Sequence, residues 1–158
     1  QTCALPIFPP GDGLTPMDPE YFSVCMHAEP VGTTTASVVA EIPDDPRRAI
    51  LYWAGLGSPC VGVFLPLFVD LDLPARLTRG DQEPSSDSAW WHFKRLLTLV
   101  ETDWSARLPR VREVFDPFEA ETAAEASRLA EASPSERNEF CEYTLDAALH
   151  RAEELTRS

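Results

Sequence analysis

The residues of this chain whose types could do chemistry sit close together. A thiol and an imidazole two positions apart, Cys25 and His27, are followed by the hydroxyls of Thr33, Thr34, Thr35 and Ser37. A cysteine beside a histidine suggests nucleophilic catalysis, because the imidazole can take the proton that the thiol must lose. On an extended strand, however, positions i and i+2 share a face but stand roughly 7 Å apart, well beyond hydrogen-bond reach. No third group that would orient the histidine is evident, so plain structural burial or a pocket-lining role is expected ahead of an independent nucleophile and base. The hydroxyls of Thr34, Thr35 and Ser37 could donate to a substrate carboxylate or oxyanion, and cross-strand threonine packing explains them equally well. Ser58 and Cys60 flank the turn Gly57-Ser58-Pro59, where a structural use is the simpler reading. Cys25, His27 and Cys60 could supply three zinc ligands, but their spacing matches no common structural zinc pattern, and no metal is expected.

The elements that must position these groups follow from periodicity. Residues 22–42 read as two strands joined by Glu29-Pro30-Val31-Gly32, since proline cannot donate to a ladder and glycine admits turn conformations. In the second strand Thr34, Ala36, Val38, Ala40 and Ile42 form one apolar face, which is expected to belong to a core. Residues 49–56 and 60–69 are nearly continuous in apolar side chains and read as strands buried on both faces, with Pro66 at a bulge or an edge. Beyond Asp70 the period changes. Ser85 to Ser88 offer caps ahead of Trp90, Phe93, Leu97, Val100 and Trp104, a helical apolar stripe. Trp53, Trp90 and Trp91 are expected as core anchors. Asp116-Pro117-Phe118-Glu119 and Ser133-Pro134-Ser135-Glu136 both read as helix starts with a capping box, predicting helices over 117–132 and 134–156. The charged faces of these last helices are expected to be solvated. Strands grouped first (21–70) and helices afterwards (85–158) predict an α+β fold with antiparallel strands in a single domain spanning 21–158.

The 158 residues suffice for one domain with a sizeable core. Asp and Glu number 26 against 13 Lys and Arg, giving a formal charge of −13. That acidity argues against nucleic acid or an anionic membrane as partner, and no stretch has the apolar length of a membrane helix. Four cysteines lack the density of a disulfide scaffold. The compartment stays open, with the cytoplasm favoured. Residues 1–7, QTCALPI, match one reading frame of a widely used short-read sequencing adapter, so Cys3 is expected not to be biological. Residues 8–20 are turn chemistry without periodicity and read as a loop.

Ser23-Val24-Cys25-Met26-His27, then Thr33-Thr34-Thr35-Ala36-Ser37, then Trp53-Ala54-Gly55-Leu56-Gly57-Ser58-Pro59-Cys60 resemble the secernin and dipeptidase A family of N-terminal-nucleophile hydrolases. Val63-Phe64-Leu65-Pro66 and Trp90-Trp91 with the helix that follows are similar too, so the resemblance covers about residues 21–125. It implies the C-terminal portion of a cysteine dipeptidase or related amide hydrolase, within a partial αββα sandwich. It implies no cofactor, a dipeptide or small amide as substrate, and a possible homo-oligomer. In that family the nucleophile is a processed N-terminal cysteine, whose own α-amine titrates near neutrality and serves as base. Its motif lies upstream of the region matched here, so no catalytic residue is assigned. Cys25, His27, Thr34, Thr35, Ser37 and Ser58 become candidates to line the substrate pocket. The alternative is a non-catalytic relative that keeps the fold for binding or regulation.

Overall fold

The structure, a computed structural model, describes residues 27–28 and 32–157. Its strands follow the alternation in the sequence, with one interruption. β1 (His27–Ala28) pairs antiparallel with β2 (Gly32–Thr33), His27 opposite Thr33 and Ala28 opposite Gly32. The rest of the expected first strand, Cys25 included, lies outside the described residues. The second strand breaks at Thr34-Thr35 and resumes as β3 (Ala36–Glu41). β3, β4 (Leu51–Leu56) and β5 (Phe64–Phe68) form an antiparallel sheet in that order. Residues 60–63, expected as strand, instead belong to the turn after β4. Gly62 has to be glycine there, because a Cβ would lie 2.8 Å from the Leu56 carbonyl oxygen.

Four helices follow. α1 (Ala75–Thr78) is a single turn that periodicity did not announce. α2 (Ala89–Val100) begins after Ser88, as the cap residues predict. α3 (Trp104–Leu129) corrects the expected start at Asp116. It starts instead at Asp103, whose carboxylate accepts the Ala106 N–H at 3.1 Å, and it runs through Pro109 and Pro117. Asp116 does not cap because its carboxylate is taken by Arg112, one turn earlier. A proline inside a helix costs about 3 kcal/mol; burial of Phe115 and Phe118, on either side of Pro117, offsets it. α4 (Pro134–Arg157) begins with the capping box read from the sequence: the Ser133 N–H donates to Glu136 at 3.0 Å, and the Glu136 N–H donates back to Ser133 Oγ at 3.3 Å.

The helices bury one end of the sheet and leave the other bare. Phe93, Leu96, Leu97 and Val100 of α2 pack with Val111 and Phe115 of α3, Leu145 and Leu149 of α4, and Val61, Val63 and Leu65 from around β5. A second cluster joins Leu51 and Phe68 to Ala126, Leu129 and Cys141. β3 lies on the far side of β4 and receives no such cover. Val38 is 63% exposed, Val39 55% and Ile42 74%, so the apolar face expected in a core is open here, and so is its reverse. β4 is likewise not buried on both faces, since Tyr52 is exposed.

The outer edge of β5 is closed by side chains. Glu119 Oε1 accepts the Phe64 N–H at 2.8 Å, Arg112 Nη1 donates to the Gly62 carbonyl at 2.8 Å, and the two side chains pair at 2.9 Å. Alternation along an antiparallel strand turns residue 66 to the same outer side as residue 64. Pro66 therefore stands at an edge, as expected, where its missing N–H breaks no ladder bond. The faces of α4 are not wholly solvated: Arg137 is buried, lies 5.2 Å over the Phe68 ring, and forks onto both Asp70 oxygens at 2.7 Å.

Candidate functional site

Three of the residues singled out by sequence, Thr34, Thr35 and Ser58, meet where β2, the turn after β4 and the start of α2 converge. Gly57 adopts φ +76°, a left-handed conformation that glycine takes without strain. Gly57 N–H and Trp90 Nε1–H both donate to the Thr35 carbonyl at 2.9 Å, which uses its two lone pairs. Ser58 Oγ donates to the Thr34 carbonyl at 3.3 Å. The Thr34-Thr35 backbone is thereby pinned twice from the turn after β4 and once from α2. It is the break in the strand, and three donors hold it.

Of the six pocket candidates, the structure brings Thr34, Thr35 and Ser58 together, and it does so through backbone carbonyls. Ser58 is 2% exposed and its hydroxyl serves the Thr34 carbonyl, so its place is structural. Ser37 is half-buried in β3 opposite Gly55. His27 enters only through its backbone pairing with Thr33, and Cys25 lies outside the described residues. Cys60 and Cys141 form no disulfide among the described residues and are buried in the two apolar clusters. Burial pushes the Cys141 thiol up, away from thiolate character. Among the described residues no group of three His, Cys, Asp or Glu side chains is arranged to hold a metal ion.

Two clefts flank the segment 79–88, and sequence reasoning missed both. The first, about 260 Å³, is lined by Ser86, His92, Arg95, Glu153, Thr156 and Arg157. His92 is 4% exposed; its Nδ1 lies 3.3 Å from Glu153 Oε1, and its Nε2 lies 3.0 Å from Arg76 Nη2 and 2.9 Å from the Ser86 carbonyl. Nδ1 thus faces a carboxylate, and Nε2 faces both a guanidinium donor and a carbonyl acceptor. Both ring nitrogens are thus engaged, and His92 has no free nitrogen to act as a base. Arg76 also donates to the Ser86 carbonyl at 2.9 Å, so this network fastens the segment to α2.

The second cleft, about 440 Å³, is lined by Arg79, Asp81, Gln82, Trp90 and Trp91 among others. Trp90 and Trp91 are half-buried and stand outside both core clusters, which corrects their expected role as anchors. Trp53 does pack against the smaller cluster. The physical reason is helical geometry: consecutive positions diverge by about 100°, so two adjacent tryptophans cannot both face a core. That signal was present in the sequence. The second cleft offers binding groups of several kinds, whereas the described residues offer no nucleophile with an adjacent base. Comparison with known proteins finds no matching family model, no matching curated protein and no matching solved structure.

Proposed function

We propose that this chain is the C-terminal portion of a secernin-like cysteine amide hydrolase acting on dipeptides, with its nucleophile supplied by a preceding segment. The observation that carries the reading is the sheet: helices cover β5 and most of β4, while β3 keeps both faces open and carries Val38, Val39 and Ile42. Exposed apolar sheet of that kind fits one layer of a sandwich whose second layer lies elsewhere. In this reading the Thr34-Thr35 break and the cleft beside it form one wall of a substrate pocket. The chain positions substrate, and the thiolate of the preceding segment attacks the amide carbonyl.

A second reading, a non-catalytic member of the same fold that binds ligands, is favoured by one observation. The groups in the described residues that could act as nucleophile or base are engaged or buried: Ser58 by Thr34, His92 by Glu153 and Arg76, and Cys60 and Cys141 in apolar clusters.

One experiment separates the two. Dipeptide hydrolysis is measured for this chain alone and for the chain joined to its upstream coding sequence. The hydrolase reading expects turnover only in the joined protein, slowed modestly by Cys25→Ser, since residues that line a pocket assist while nucleophiles decide. Turnover by the chain alone, abolished by Cys25→Ser, would overturn it and make the Cys25–His27 strand the active centre. An inert joined protein that still binds dipeptides supports the second reading.

A further inference from the structure

We infer that the cleft at the start of α2 is a subsite for a zwitterionic dipeptide with an aromatic side chain: the ring on Trp90 and Trp91, the carboxylate on Arg79, the ammonium on Asp81. The choice of a peptide rests on the amide-hydrolase reading; the chemistry of the cleft stands on its own.

The two indoles meet edge to face, with centroids 4.9 Å apart and planes at 82°. Both N–H groups are already given to backbone carbonyls, Trp90 to Thr35 at 2.9 Å and Trp91 to Asp81 at 3.1 Å. The rings therefore offer a ligand only their apolar, π-rich surface, which suits another aromatic ring. The same two bonds fix the walls. Trp90 ties the cleft to the Thr34-Thr35 break, and Trp91 holds the segment 79–88, which Arg76 also grips at Ser86. These bonds hold the walls of an open cleft of about 440 Å³.

Charge then selects the ligand. Arg79 and Asp81 both line the cleft, and Arg79 makes no ion pair with any described residue, Asp81 included. Asp81 Oδ1 accepts the Gln82 N–H at 2.6 Å, which leaves Oδ2 for a ligand. Among the described residues no carboxylate pairs with this guanidinium, and it stands beside the aromatic floor. A planar guanidinium matches a carboxylate bidentately, and it repels the cations that an aromatic pair alone would attract. One charge of each sign, not spent on the other, matches a zwitterion.

The test uses this chain, isothermal titration calorimetry, and five probes: Gly-Phe, Gly-Ala, Gly-Lys, Gly-Phe amide and N-acetyl-Gly-Phe. Gly-Phe is expected to bind, and Gly-Ala about tenfold more weakly for want of the ring. Gly-Phe amide and N-acetyl-Gly-Phe, each lacking one charge, should each lose about tenfold, and Arg79→Gln and Asp81→Asn should do the same to Gly-Phe. Arg79→Gln should be indifferent to the amide and Asp81→Asn to the acetyl group, an assignment that a merely structural role would not produce. Arg79 and Asp81 are exposed, so both variants should melt like the parent. Equal binding of Gly-Phe and Gly-Ala, an Arg79→Gln variant that binds as the parent does, or tighter binding of Gly-Lys would overturn the assignment. Hydrolysis by the joined protein without such binding would sink the subsite and leave the hydrolase reading standing. Binding without hydrolysis would do the reverse.

Discussion

Asp70→Ala is the perturbation that most directly tests how the helices are fastened to the sheet. Asp70 follows β5 and accepts two hydrogen bonds of 2.7 Å from Arg137 on α4. The partners differ sharply in exposure, with the Arg137 side chain at 7% and that of Asp70 at 52%. Removing the carboxylate therefore strands a buried guanidinium whose Nε already has no hydrogen-bond partner. Breaking a fully buried pair costs about 3–5 kcal/mol. The Asp70 half is screened by solvent, so about 2 kcal/mol is expected, which lowers Tm by about 4–8 °C in a domain of this size. Arg137→Met should cost less, because an apolar side chain replaces the ion on the Phe68 ring and leaves an exposed Asp70 that water can satisfy. In the double variant most of the Asp70→Ala loss should disappear.

The pH dependence carries a sign. The hydrogen bonds from Arg137 hold the Asp70 carboxyl below its ordinary range. A carboxylate with a depressed folded pKa contributes stability that is full above its unfolded value and is lost as pH falls through the folded one. The gap between parent and Asp70→Ala should accordingly be widest at neutral pH and close as the pH drops below the usual carboxylate range. Thermal melts by circular dichroism from pH 7 down to pH 3 measure it. A gap under about 0.5 kcal/mol at neutral pH, the scatter of ordinary surface substitutions, would refute the reasoning, as would a gap that persists unchanged in acid.

The other predictions are briefer. Phe115→Ala, at a side chain with no exposure, should cost about 3–5 kcal/mol, while Trp91→Ala should cost clearly less because Trp91 lies outside the core; chemical denaturation ranks the two. Ser133→Ala removes the hydroxyl that caps α4 and should cost about 1 kcal/mol in the same assay, and no change would mean that the box does not hold the helix end. Val38→Lys on the bare strand should leave Tm within about 1 °C while reducing self-association in sedimentation velocity, since a charge on an exposed strand opposes edge-to-edge pairing. The thiols of Cys60 and Cys141 should resist alkylation at neutral pH until the chain unfolds, and rapid labelling of the native protein would contradict their burial.

What the sequence determined by itself is local. The strands β4 and β5 follow from short apolar runs bounded by turn residues, though β5 begins four residues later than its run, and the start of α2 and the capping box of α4 follow from cap residues. The edge position of Pro66 follows from its missing N–H. The tertiary structure decided everything that depends on what lies opposite. Asp116-Pro117-Phe118-Glu119 carries every local mark of a helix start, yet Arg112 claims both carboxylates and Phe115 and Phe118 are buried, so α3 continues through it. The alternation in residues 34–42 is that of a half-buried strand, but alternation states only that two faces differ, and among the described residues β3 has no layer over either. Thr34 and Thr35 read as hydroxyl donors, and their carbonyls turned out to be what Ser58, Gly57 and Trp90 seek. Trp90 and Trp91 read as core because of their size, but the turn of the helix sends one ring to the strand break and the other to the segment 79–88. A residue type fixes what a group can do, and only the fold supplies the neighbour that decides whether it is free to do it.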